Sequence, residues 1–152
     1  MRPRLLLVDS EASFRLRAIG ALSERFDVTV PAPGEDVVRL ARAVRPDVGC
    51  FACGGRSRVE ALRLARVLKT DVRIVPSLGF TLRSGEGAPS RAAVESVHVD
   101  GLLLGAEDPA ALVSFVEALL SGAHVMPEPW PAEAPGSVRR LLTRLLGRGG
   151  GD

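Results

Sequence analysis

The residues of this chain that could do chemistry are few and scattered. Asp9 closes the apolar run Arg4–Val8. A carboxylate at such a strand end can hold a metal, or it can accept hydrogen bonds from nearby helix N-terminal amides. Cys50 and Cys53 are the only cysteines and are spaced C-x-x-C. In a redox protein that spacing sits at a helix start, where the dipole lowers a thiol pKa. Here Cys50 lies inside "DVGCFA" (Asp47–Ala52), which reads as a strand. Residues three apart in a strand point to opposite faces, so a disulfide is unfavourable and Cys50 is expected in the core. Cys53 is expected in the following loop, open to solvent. His98 and His124 stand far apart with no acids clustered near either and read as surface residues. No metal site and no cofactor follow from these patterns.

The elements that must position these residues come as five strand–helix units. The strands are "RLLLV" (Arg4–Val8), "FDVTV" (Phe26–Val30), "DVGCFA", "VRIVP" (Val72–Pro76) and "VDGLLL" (Val99–Leu104). Helical periodicity covers Ser10–Arg25, Glu35–Arg45, Arg56–Lys69, Ala88–Val97 and Pro109–Gly122. Ser10 is the expected N-cap of the first helix. Such alternation implies a parallel sheet with helices on both faces. The stretch Ser77–Pro89, rich in Gly and Ser, reads as a long mobile loop.

Composition narrows the class. The 152 residues are 46% hydrophobic and 25% charged, the balance of a folded globular chain. No apolar run approaches the roughly 20 residues of a membrane span, and the N-terminal run is too short for a signal peptide, so a cytoplasmic protein is expected. Residues 136–152 hold four arginines and one acid, against 16 bases and 17 acids elsewhere. A neutral body with a basic end gives no charge argument for nucleic acid.

Three segments in sequence order carry a family resemblance. "RLLLVDSEASFR" resembles the opening of bacterial response-regulator receiver domains, where a strand runs into an acidic pair. "GEDVVRLARAVRPDV" resembles their second helix and third-strand approach. "VDGLLLGAEDPAALVSFVEALLSG" resembles their last strand and helix. The likeness leans toward receivers of the LuxR/NarL type. It implies a flavodoxin-like, three-layer α/β fold over residues 1–122, with a five-stranded parallel sheet in the order 2-1-3-4-5.

The resemblance also implies a chemistry: phosphoryl transfer to an aspartate at the end of the third strand, with a divalent metal, a lysine and a hydroxyl nearby. Residue by residue, little of it remains. Asp9 matches the first acid, but Ser10 stands where the second belongs. Ala52 falls at the phosphoacceptor position, Ser77 at the sensing hydroxyl, and Gly105 where the lysine belongs. Leu102 replaces the aromatic switch residue. The expectation is a non-enzymatic pseudo-receiver, aspartate-less and independent of phosphorylation, that signals by protein–protein contact. The alternatives are a thiol switch at Cys50 and Cys53, a small-ligand sensor in the former pocket, and a residual phosphoacceptor at Asp9.

The C-terminal part reads as a proline-rich linker (123–136), an amphipathic basic helix (137–148) and a flexible end (149–152). Leu141, Leu142, Leu145 and Leu146 share one side, with Arg140 and Arg144 on the other. That helix could pack on its own domain, form a dimer contact, fill a partner groove or meet an acidic membrane surface. With Leu102, Leu103 and Leu104 it forms the expected partner-binding set, and a homodimer is expected. About thirty residues leave no room for a LuxR-type DNA-binding module, so no direct sequence-specific DNA binding is expected.

Overall fold

The computed structural model describes residues 1–133, so the expected tail helix lies outside the described residues. The strands are β1 (Arg4–Val8), β2 (Asp27–Thr29), β3 (Val48–Ala52), β4 (Ser77–Leu82) and β5 (Gly101–Leu104). The helices are α1 (Ala12–Leu22), α2 (Val37–Val44), α3 (Arg58–Ala65), α4 (Arg91–Ser96) and α5 (Pro109–Leu120). All strand pairs are parallel, in the order β2-β1-β3-β4-β5, as expected. The order reverses between β1 and β3, so a crevice opens there at the strands' C-terminal ends.

Two apolar clusters sandwich the sheet. Leu5, Leu7, Val48 and Cys50 pack with Phe14 of α1 and Phe115 of α5. Leu6, Phe51, Cys53 and Phe80 pack with Leu64, Leu68 and Val94 on the other face. The strict alternation along β1 and β3 is the two-residue period of a strand buried on both sides. It places the two cysteines in different clusters, as their spacing requires. Cys53, however, is fully buried rather than exposed.

The fourth strand corrects the sequence reading. Val72–Pro76 is not a strand. It is the exit of a π turn (Arg66–Asp71) that extends α3, with Val72 N–H bonded to Val67 O and Ile74 N–H to Leu68 O. The strand is the glycine-containing "SLGFTL" that follows. Gly79 is needed because a Cβ there would stand 2.6 Å from the Phe115 ring and 2.7 Å from Leu119 Cδ1. β-branched content favoured the wrong segment, and tertiary packing selected the other. Half of the expected mobile loop is therefore a buried central strand.

The chain after α5 does not leave the domain. Residues 123–133 run extended, as their prolines favour, but lie along the outer edge of β5. Leu102 N–H donates to Val125 O and Val125 N–H to Asp100 O, at 2.8 and 2.9 Å. Further on, Trp130 Nε1–H donates to Pro89 O at 3.1 Å, and Ala88 N–H to Ala132 O at 2.8 Å. Met126 and Trp130 pack on the core. The segment thus covers an edge that would otherwise present unpaired backbone groups.

Candidate functional site

The C-terminal ends of β1, β3 and β4 converge on Asp9. Its side chain is 1% exposed. The carboxylate accepts the Glu11 N–H at 3.0 Å and meets a cation that the sequence did not announce: Arg83, just past β4. Arg83 Nη1 stands 3.1 Å from Asp9 Oδ2 and 3.4 Å from Oδ1. Its Nη2 reaches Glu86 Oε2 at 3.4 Å, and its guanidinium lies 4.9 Å over the Phe14 ring. Burial pushes the Asp9 carboxyl above its ordinary value; the Glu11 amide and Arg83 pull it back only in part.

The turn carrying Arg83 is fixed on several sides. Glu86 Oε1 accepts the Arg83 N–H at 2.6 Å, and Glu86 N–H donates to Arg83 O at 3.1 Å. Ser84 N–H and Oγ–H donate to Glu107, in the turn after β5. Gly54, in the short loop after β3, lies against the Glu86 carboxylate so closely that a Cβ would collide with it. Glycine at position 54 thus leaves room for an acid from the turn after β4.

The sequence-derived pocket residues fare unequally. Ala52 ends β3, and its register partner in β4 is Thr81, which is buried. Ser77 is not in the pocket. It begins β4 opposite Val48, at the far end of the sheet, because the strand starts where the sequence reading ended it. Ser10 does not cap α1. Glu11 does, accepting the Ser13 and Phe14 amides, while Ser10 Oγ lies 3.1 Å from Ser57 Oγ. The bonds from Ser13 and Phe14 hold the Glu11 carboxyl below its usual range and occupy both its oxygens at the start of α1. Gly105 follows β5 with φ of 71°, a left-handed turn that a lysine would enter only with strain.

These residues do not fit a divalent cation. Asp9 and Glu86 are both paired with the Arg83 guanidinium, and beside Asp9 stand a serine and a methyl group, whereas Mg²⁺ needs carboxylate and water oxygens around it. Among the described residues no group of three or more His, Cys, Asp or Glu side chains could hold a metal. Arg83 could not have been found by local pattern. It lies 74 positions from Asp9, in a stretch that reads as loop.

Searches of solved structures return matches to the whole sheet. The receiver domain of RcsB from Salmonella enterica serovar Typhimurium, determined with the phosphomimetic BeF3⁻, aligns with a TM-score of 0.62 at 15% identity, covering 84% of this chain and 95% of that one. The chemotaxis response regulator CheY4 of Vibrio cholerae gives 0.66 at 16%, covering 78% and 99%. The non-phosphorylated receiver domain of the stress regulator RcsB from Escherichia coli gives 0.59 at 13%, covering 84% and 100%. This is the receiver fold. No family model matches the sequence, and no curated protein matches it. The receiver architecture is therefore shared at a level where the pocket chemistry need not be.

Two further sets remain. Both thiols are pushed up to about 12, chiefly by burial, with Asp9 adding to the effect on Cys50 and Glu86 to that on Cys53. Of the expected partner-binding leucines, Leu102 is 2% exposed and belongs to the core, so it cannot contact a partner without unfolding β5. Leu103 packs partly on the α1–α5 side, and Leu104 is exposed. Leu141, Leu142, Leu145, Leu146, Arg140 and Arg144 lie outside the described residues. Among the described residues, no helix is long and apolar enough to cross a membrane.

Proposed function

We propose that this chain is a phosphorylation-independent pseudo-receiver, a cytoplasmic signalling module that works through protein–protein contact and catalyses no reaction of its own. The observation that carries the reading is Arg83 on Asp9. In a receiver pocket the cations that offset phosphoryl charge are a bound metal and a lysine. Here a guanidinium from the same chain takes the remaining acid, and Ala52 offers a methyl where a nucleophile is required. Asp9 as a residual acceptor would have to give up this partner first. The thiol alternative gains no support: buried thiols near pKa 12 are almost wholly protonated at neutral pH, and the two sulfurs pack in opposite clusters.

The proposed contact surface is Leu104 together with the tail leucines 141, 142, 145 and 146, flanked by Arg140 and Arg144, and the proposed partner is a second copy or another protein rather than a specific DNA sequence. The reading is tested by titrating the protein with fluoroberyllate and Mg²⁺ while following its melting temperature. No shift is expected. A saturable rise would show a pocket still competent for a phosphoryl mimic and would defeat the reading.

A second reading has one observation in its favour. A cleft of about 470 Å³ opens beside β1 and β3, walled by Val8, Phe51 and Ala52 and rimmed by Ser10, Ser57 and Arg56. This is the place where doubly wound folds seat ligands. A ligand-sensing pseudo-receiver predicts a compound that raises the melting temperature and loses that effect in Ala52→Leu.

A further inference from the structure

The far end of the sheet, where the strands begin, holds a larger cleft of about 770 Å³. Three arginines line it: Arg42 and Arg45 at the end of α2, and Arg73 past the π turn. Within the described residues none of the three guanidinium groups has a hydrogen bond or ion pair to protein. The acid in the lining, Asp47, already accepts the Arg4 N–H at 2.8 Å. Elsewhere on the domain Arg25, Arg63, Arg83 and Arg91 are each matched to a carboxylate. Here three cations share one concave space with a single acid, Asp47, that is bonded to none of them.

The backbone adds a second observation. Arg45 and Arg73 both adopt left-handed conformations, with φ of 52° and 51°. Each follows a helical segment, at the position where glycine normally stands because it bears no Cβ penalty. An L residue there is disfavoured. A cation near a helix C-terminus gains something from the dipole, which accounts for a basic residue at each end separately. It does not account for both ends, and Arg42, opening onto one hollow. Val72, more than a third exposed, Ile74 and Pro76 supply an apolar wall beside the cations.

We infer that this cleft binds a phosphate-bearing small molecule of nucleotide size, its phosphates on the arginines and its ring against Val72 and Ile74. Guanidinium forks match phosphate oxygens in pairs. The volume lies within the range of small-molecule sites. An apolar wall next to the cations suits a ligand that is charged at one end and flat at the other. The site is separate from the Asp9 pocket and does not depend on how that pocket is read.

The test is calorimetric titration of the full chain with ATP, GTP and inorganic triphosphate, without divalent metal. The comparison proteins are Arg45→Gly, Arg73→Gly and the double variant. Glycine accepts the same left-handed backbone, so the fold is retained and loss of binding reports the side chain. Each single change should weaken nucleotide binding about tenfold or more, the scale of a lost charge-assisted hydrogen bond. The nucleotides should bind more tightly than triphosphate. No heat with any probe at millimolar concentration overturns the assignment. So does affinity unchanged in the double variant, triphosphate binding as tightly as nucleotide, or a marked preference for single-stranded RNA.

Discussion

Replacing Arg83 by alanine removes the cation that stands on a buried carboxylate, and its effect can be worked out from the geometry. Asp9 is 1% exposed at its side chain and Arg83 is 26% exposed. Breaking a fully buried pair costs about 3–5 kcal/mol, because the surviving charge is stranded. With Arg83 a quarter open to water, solvent can reach the vacated space, so about 2–3 kcal/mol is expected for Arg83→Ala at pH 7. The pH dependence has a definite sign. Burial already raises the folded-state pKa of Asp9 above its unfolded value, so protonation favours the native state. That contribution is fully present below the unfolded pKa and is lost as pH rises through the folded one. Without Arg83 the folded value moves higher still. The deficit of the variant should therefore be largest at neutral pH and shrink on acidification. Urea unfolding at several pH values measures it, and Asp9→Asn placed on Arg83→Ala should recover part of the loss. A change below about 0.5 kcal/mol, the scale of an ordinary surface substitution, with no pH dependence, would refute the claim that this pair closes the pocket.

Other consequences are simpler to state. Gly101→Ala would put a Cβ 2.9 Å from Val125 O and 2.8 Å from the Phe115 ring, so it should dislodge the segment after α5; the single tryptophan, Trp130, should then show red-shifted emission. Unchanged emission would mean the segment is held without that contact. Both cysteines should resist a thiol reagent in the native protein and react at once in denaturant, since burial keeps them protonated. Rapid native reaction would revive the thiol switch. If the tail associates, each buried leucine contributes roughly 1.5–3 kcal/mol while exposed ion pairs add little. Asp at positions 142 and 145 should then lower the mass seen by light scattering more than Ala at Arg140 and Arg144; a monomeric parent protein would remove self-association.

Much of the architecture was readable from local pattern. Apolar runs placed β1, β3 and β5, and the strand period alone put Cys50 and Cys53 on opposite faces. The sequence also put Ala52 at the end of β3, where the structure has it. What failed was decided by contacts distant in sequence. "VRIVP" has the better strand composition, yet "SLGFTL" fills the sheet because Gly79 admits the Phe115 ring. That shift leaves Ser77 opposite Val48 at the far end of the sheet and puts Thr81 opposite Ala52. Arg83 looked like one loop residue among several, and only the meeting of β1 and β4 brings it onto Asp9. The segment 123–133 read as a linker from its prolines, which set its extended form but not the β5 edge that holds it.

The central claim is that the strand-end pocket has given up phosphoryl transfer. Intact mass after incubation with acetyl phosphate and Mg²⁺ tests it most directly, with Asp9→Asn alongside. The account predicts an unchanged mass for both proteins. A stoichiometric gain of one phosphoryl group, abolished in Asp9→Asn, would mean that Asp9 can leave Arg83 and act as acceptor, and would contradict it.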